Sequence, residues 1–497
     1  MPTVLALDQG TTGSTALLVG DAGEIVGRGY REIRQHYPAP GWVEHDPEDI
    51  WQATVAAARD ALGSETPAAI GITNQRETVI AWERQTGRPV HRALVWQDRR
   101  TAGRCRDLRA AHGDAFLVER TGLVWDPYFS ATKIEWLLRE VPGLRSRVAR
   151  GDVVFGTVDS WLTFRLTGGR AHVTDPTNAS RTLLYNIRTR DWDVELLELF
   201  GVPRSALPAL VPSSGVVGAA DRAVLGVAAP VAGMAGDQQA ALFGQGCYQP
   251  GDSKNTYGTG AFLLMLVDRP APAGKGVLTT MACDARGEPA LAVEGAIFIA
   301  GAAVQWLRDG LGLIATAAET EVLARSVPDT GGVYFVPALV GLGAPHWEPD
   351  ARGTIVGLTR GTGRAHLVRA ALEAMAYSTR EVAEAMAAAT GVPLKTLKVD
   401  GGAAANDWLM QFQADVLTVP VWRPAAVEST ALGAAGLAGL AVGVWADAAT
   451  FQATRSYQAF NPKAEREDAG YREWARAVAT TLHWARLGRA ARSREEI

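Results

Sequence analysis

Val4-Leu5-Ala6-Leu7-Asp8-Gln9-Gly10-Thr11-Thr12-Gly13-Ser14-Thr15-Ala16-Leu17-Leu18-Val19 reads as two apolar strands, Val4–Leu7 and Thr15–Val19, joined by a Gly/Thr turn. Glycine in such a turn permits positive φ and lets backbone N–H groups approach an anion closely, while threonine hydroxyls add donors. Asp8, where strand meets turn, suits a Mg²⁺ ion held through water beside a phosphate. About half a chain later the arrangement recurs: Gly251–Thr256 leads into Tyr257-Gly258-Thr259-Gly260, and the apolar Ala261–Val267 follows. Two such turns facing each other would clamp a polyphosphate from both sides. Taken singly, each is equally an ordinary hairpin turn.

The neighbouring sequence alternates between strands and helices. Asp21-Ala22-Gly23-Glu24 forms a second turn before a strand at Ile25–Tyr30. Asp46-Pro47 supplies a cap and a first-position proline for a helix with Ile50, Thr54, Ala58 and Leu62 four apart. Ala69–Thr73 and Thr78–Trp82 read as strands. From Ala365 to Ala389 a long helix carries Leu367, Ala371, Met375, Thr379, Val382 and Met386 on one core stripe, and Gly391 stops it. The strand Leu397–Val399 ends in Asp400-Gly401-Gly402, with a helix beginning near Asn406, and the charged tail Asn461–Ile497 reads as a solvated helix. This alternation predicts α/β layers. The second Gly/Thr unit sets the expected domain boundary near 246, giving 1–246 and 247–497.

Composition narrows the function. The chain has 497 residues, with 49 Lys+Arg against 53 Asp+Glu and a formal net charge of −4, which gives no electrostatic case for nucleic acid or an anionic membrane. At 47% apolar and 21% charged residues, it can bury a large core. Cys105, Cys247 and Cys283 lack disulfide or metal spacing and read as buried hydrophobes in a reducing compartment. The first residues lack a signal-peptide pattern, and Ala431–Ala446 is uncharged but rich in Ala and Gly, so it reads as a closely packed buried segment. A cytoplasmic protein without membrane insertion is the expectation.

Other segments carry polar chemistry. No G-x-x-x-x-G-K-[ST] loop is present, so a nucleotide site here is not of the P-loop kind. Asp400-Gly401-Gly402-Ala403-Ala404-Ala405-Asn406 gives small residues at a strand end, with room for a base or ribose, though it also reads as a plain strand-to-helix turn. Gly236-Asp237-Gln238-Gln239 places a carboxylate where it either accepts a proton from a substrate hydroxyl or caps a helix. Arg76-Glu77 is a surface pair or, with Trp96, Tyr128 and Phe262, a pocket of polar prongs and apolar walls.

Taken together, these segments closely resemble the glycerol kinases of the FGGY carbohydrate kinase family. The resemblance runs through Pro40–Pro47, Gly71–Glu77, Gly236–Gln245, Asn255–Gly260 and Val399–Gly402. Two family signatures are recognisable, from Tyr128 through Lys133 and Trp136 to Glu140, and from Gly353 through Gly357 and His366 to Glu373. The resemblance implies two actin/Hsp70-like (ribonuclease H-like) ATPase domains, each with a mixed central sheet flanked by helices, around a deep cleft. It implies ATP-dependent phosphorylation of glycerol to sn-glycerol 3-phosphate, with Asp237 as general base. Arg76, Glu77, Tyr128, Asp237 and Gln238 would bind glycerol hydroxyls, and Trp96 and Phe262 would pack on its carbon chain. Thr11, Thr12, Gly13, Thr259, Gly301, Gln305, Gly402 and Asn406 would contact ATP, with Asp8 near Mg²⁺ through water. A homodimer or homotetramer is also implied.

The chain departs from the family pattern at two places. Members commonly carry Thr-Thr-Ser-x-Arg in the first phosphate loop, where this chain has Thr11-Thr12-Gly13-Ser14-Thr15. One hydroxyl and one positive charge are missing, which leaves backbone donors to hold phosphate there. Members inhibited by fructose 1,6-bisphosphate carry a Gly/Lys/Arg-rich loop before Gly-Asp-Gln-Gln. The corresponding Asp221–Pro230 has little positive charge, so that inhibition is expected to be absent or weak.

Overall fold

A computed structural model describes residues 1–274, 276–426, 428–463 and 468–495. The chain divides into two units. Unit 1 comprises Met1–Gln249, Thr279–Ala292 and Glu428–Arg455; unit 2 comprises Pro250–Leu278, Val293–Val427 and Ser456–Ile497. The first crossing falls at Gln249–Pro250, and two later segments return to unit 1.

In unit 1 the expected apolar strand is β1 (Thr3–Gln9), which runs on through Asp8 and Gln9 before the turn. Its near-continuous burial is that of a central strand. It pairs antiparallel with β2 (Gly13–Gly20) and parallel with β4 (Ala69–Asn74). With β3 (Ile25–Glu32), β5 (Ser214–Ala219) and β6 (Pro230–Gly236), the six-stranded mixed sheet has the order β5-β6-β4-β1-β2-β3. The helix α1 (Pro47–Leu62) starts as read: Asp46 accepts from the Glu48 N–H, proline stands in the first turn, and Ile50, Thr54, Ala58 and Leu62 are buried. Trp82 and Trp161 anchor the core beneath the sheet.

The uncharged Ala/Gly stretch forms the helix Ser429–Ala441 within unit 1. Its composition follows from backbone contact. A Cβ on Gly433 would sit 1.8 Å from the Ala240 carbonyl oxygen, and one on Gly71 would sit 2.1 Å from that of Ala434. Among the described residues no helix is long and apolar enough to cross a membrane.

Unit 2 is built on β7 (Asp252–Tyr257) and β8 (Ala261–Val267), the second strand pair read from the sequence. The strands β9 (Leu278–Cys283) and β10 (Pro289–Ile297) lead out and back. The helix α2 (Arg364–Thr390) buries Ala371, Met375, Thr379, Val382 and Met386, while Leu367 is half-buried, and Gly391 ends it in the left-handed region at φ 74°. Completed by β11 (Thr396–Gly401), β12 (Val421–Pro424) and β13 (Tyr457–Phe460), the sheet order is β9-β10-β8-β7-β11-β12-β13.

The tail departs from its reading as a solvated helix. Residues 469–495 are helical, but Trp474, Ala477, Val478 and Ala485 are buried with Val336, Tyr377 and Val416. Charge density hid an apolar stripe that covers the core of unit 2. Residues 464–467 and 496–497 of that tail lie outside the described residues.

Candidate active site

In unit 1 the strand β4 ends at Asn74, and the chain turns sharply through Arg76 and Glu77. Glu77 has φ 63°, a left-handed backbone that costs a side-chain-bearing residue roughly 1–3 kcal/mol. Surrounding contacts hold it there: the Ser130 hydroxyl donates to the Glu77 carbonyl at 2.8 Å, and Thr78 N–H donates to the Arg76 carbonyl at 2.7 Å. Arg76 Nε lies 3.3 Å from Asp237 Oδ1 and 3.9 Å from Glu77 Oε1. Both Arg76 and Glu77 are almost fully buried, whereas the Asp237 side chain is 32% exposed and so reachable by a substrate.

Asp237 opens the helix Asp237–Gly244, and its carboxylate accepts from the Gln238 N–H at 2.7 Å. The helix cap is Gly236, so Asp237 stands at the first helical position instead of capping, and its carboxylate faces Arg76. Gly236 before it is required by close approach, since a Cβ there would lie 2.7 Å from Arg76 Cγ.

The apolar wall forms beside this cluster. Trp96 and Tyr128 pack edge to face with ring centroids 5.6 Å apart. The indole N–H of Trp96 donates to the Thr11 hydroxyl at 2.9 Å, joining this wall to the first Gly/Thr turn. In that turn Gly10 N–H bonds the Gly13 carbonyl at 2.9 Å. A Cβ at Gly13 would approach the Arg31 carbonyl oxygen and the Tyr30 hydroxyl to 2.7 Å, so the neighbouring strand accounts for glycine in place of the family's serine. Burial, and then the Asp237 charge, push the Asp8 carboxyl up to about 7.

In unit 2 a cavity of about 540 Å³ gathers Thr259, Gly301, Gln305, Gly402 and Asn406 on its walls, together with Tyr257, Gly258 and Leu372. Thr259 lies in the second Gly/Thr turn, whose Gly258 carbonyl accepts from Gly301 N–H at 3.0 Å. Gly402 meets no atom within 4 Å at its Cβ position and presents open space. Asn406 caps the helix α3 (Asp407–Leu417) by accepting from Leu409 N–H at 2.9 Å. Phe262 lies on β8 opposite Thr256.

Sequence reading missed two supporting residues. Arg181 is fully buried, and its Nε donates to Glu77 Oε1 at 2.6 Å. Its segment starts with Asp175-Pro176, the same cap-and-proline signal as Asp46-Pro47, which marks the short helix Pro176–Ala179. Lys133 was visible in a signature but without a role; its Nζ donates to the Tyr128 carbonyl at 3.0 Å. Burial lowers its pKa to about 8, against the opposing pull of Asp98, Glu77 and Asp126.

Comparison with known proteins matches residues 3–244 to the N-terminal domain, and residues 253–442 to the C-terminal domain, of the FGGY family of carbohydrate kinases. The chain belongs to this family. Glycerol kinase 2 of Thermotoga maritima is 55% identical over 494 residues, covering 97% of this chain and 99% of that protein. Glycerol kinase of Carboxydothermus hydrogenoformans is 56% identical over 492 residues, covering 97% and 98%. The crystal structure of Plasmodium falciparum glycerol kinase with ADP superposes with a TM-score of 0.92 at 35% identity, covering 97% of this chain and 98% of that one. A ligand-bound xylulose kinase from Lactobacillus acidophilus, at 22% identity and TM-score 0.85 over 99% of this chain and 98% of that one, shares the fold. This FGGY kinase thus has the family's two-domain ATPase architecture.

Proposed function

We propose that this FGGY kinase transfers the γ-phosphoryl group of ATP to a terminal hydroxyl of glycerol, giving sn-glycerol 3-phosphate and ADP. The observation that carries this reading is the end-to-end match at 55% identity to glycerol kinase 2 of Thermotoga maritima. The acceptor cluster supports it, because a small triol needs several directed hydrogen bonds and an apolar wall. Arg76, Glu77, Tyr128 and Gln238 bind hydroxyls, and Trp96 and Phe262 pack on the carbon chain. Asp237 accepts the proton of the attacking hydroxyl, and its partial exposure beside a buried guanidinium suits that role. Thr11, Thr12, Gly13, Thr259, Gly301, Gln305, Gly402 and Asn406 hold the nucleotide.

Mg²⁺ fits the donors of unit 1. The Asp8 carboxyl is raised partly by the Asp237 charge, and a cation near Asp8 relieves that repulsion. Among the described residues no group of three or more His, Cys, Asp or Glu could hold a metal. A single carboxylate such as Asp8 suits an ion that keeps most of its water and phosphate ligands. When bound, Mg²⁺ neutralises charge on the phosphate oxygens.

ADP release measured with MgATP across glycerol, dihydroxyacetone, xylulose, ribulose and gluconate tests the acceptor. Glycerol should give the highest kcat/KM, and a ketose ahead of it would overturn the assignment. Asp237→Asn should lower kcat by roughly 10²–10⁴-fold with folding intact. Near-normal turnover would remove Asp237 from the role of base.

A further inference from the structure

We propose that Arg181 is a positioning residue for the acceptor site: it holds Glu77 ionised and in place, and so sets the affinity for the polyol. The inference rests on the glycerol reading above.

Arg181, Glu77, Arg76 and Asp237 form a row of alternating charge. Arg181 Nε meets Glu77 Oε1 at 2.6 Å, Glu77 Oε1 lies 3.9 Å from Arg76 Nε, and Arg76 Nε lies 3.3 Å from Asp237 Oδ1. The row is buried at the Arg181 end, where the Arg181 and Glu77 side chains are 0% and 1% exposed, and opens at Asp237. A carboxylate so deeply enclosed stays charged only if a cation compensates it.

Arg181 also reaches the aromatic side of the site. Its guanidinium carbon lies 5.4 Å from the Tyr128 ring centroid and 5.2 Å from that of Phe129. One buried group thus touches two of the proposed hydroxyl ligands, Glu77 and Tyr128, and reaches a third, Arg76, through Glu77. The Glu77 backbone, left-handed at φ 63°, is held by Ser130 and the Arg76–Thr78 turn, while Arg181 holds its carboxylate. A lysine would supply the charge without the planar fork that fits both carboxylate and ring.

The test is steady-state kinetics of the full-length protein with glycerol and ATP varied separately. Arg181→Gln should raise the glycerol KM about 10- to 100-fold, the range for losing a charged hydrogen-bond partner. The ATP KM should stay within about twofold, as for an uncoupled site. In a Glu77→Gln background the further change in glycerol KM from Arg181→Gln should shrink to within about twofold, because the charge it serves is gone. Equal rises in both KM values, or an undiminished effect in the Glu77→Gln background, would make Arg181 a scaffold residue and overturn the proposal. Arg181→Lys provides the second variant should Arg181→Gln fail to fold. It should keep the wild-type thermal midpoint with an intermediate glycerol KM, and a wild-type glycerol KM would overturn the proposal. Failure of the wild type to phosphorylate glycerol would instead refute the functional reading itself.

Discussion

Replacing Gly301 by alanine tests whether the second Gly/Thr turn sets nucleotide geometry. Gly301 opens the short helix Gly301–Gln305, and a Cβ there would lie 2.5 Å from the Gly258 carbonyl oxygen. Ordinary contact begins near 3.4 Å, so that carbonyl must retreat by about 0.9 Å. Thr259, the next residue along the chain, is drawn with it, straining the bonds its carbonyl accepts from Ala300 N–H at 2.8 Å and Ala302 N–H at 3.0 Å. Misplacement of about 1 Å costs on the order of 10²-fold in rate. Gly301→Ala should therefore lower kcat/KM for ATP about 100-fold. The glycerol KM should stay within about twofold, since the cluster proposed for it lies in unit 1 apart from Phe262. The assay is ADP release with ATP varied at saturating glycerol, with ADP binding by calorimetry. Gly402→Ala serves as the comparison: its Cβ meets no protein atom within 4 Å, so it should weaken ADP binding while leaving the thermal midpoint unchanged. A Gly301→Ala enzyme with wild-type kcat/KM for ATP, or with an equal loss for glycerol, would refute the argument.

Trp96→Phe keeps an aromatic wall but removes the N–H that Thr11 accepts, so kcat/KM for ATP should fall about two- to tenfold, the value of one hydrogen bond. An unchanged value at varied ATP would show that this bond does not orient the turn. Lys133 is buried with its pKa at about 8, below the usual 10.5, so the unfolded chain binds the extra proton between those values. Wild-type stability should therefore rise relative to Lys133→Met from pH 8 to pH 10.5, by about 3 kcal/mol across the window. Urea midpoints of both proteins at the two pH values measure this, and a constant difference would reject it. Fructose 1,6-bisphosphate at submillimolar concentration should leave turnover unchanged, because Arg222 is the one cationic residue in Asp221–Pro230. A shift in activity would reverse that expectation.

Local signals made much of the molecule legible. Asp46-Pro47 announced α1, Gly391 announced the end of α2, and the two Gly/Thr turns fell between the strand pairs β1–β2 and β7–β8. These features depend on cap chemistry and backbone freedom, which act over a few residues. The Ala/Gly composition of residues 431–446 likewise foretold close packing, though not its partners at Gly71 and Ala240. Tail packing was not legible, because its charged residues outnumber the stripe formed by Trp474, Ala477 and Val478.

The sequence by itself determined the α/β class, the two Gly/Thr turns and the residue types of the proposed polyol site. Tertiary structure alone decided that Arg76 faces Asp237, that Thr11 receives the Trp96 indole N–H, and that five residues spread from Thr259 to Asn406 line one cavity. It alone also brought Arg181 onto Glu77, 104 positions earlier, and returned residues 428–455 to unit 1. The physical reason is range: turn and helix preferences are fixed by neighbours along the chain. Charge pairing and buried contact depend on which distant segments the core brings within a few ångströms.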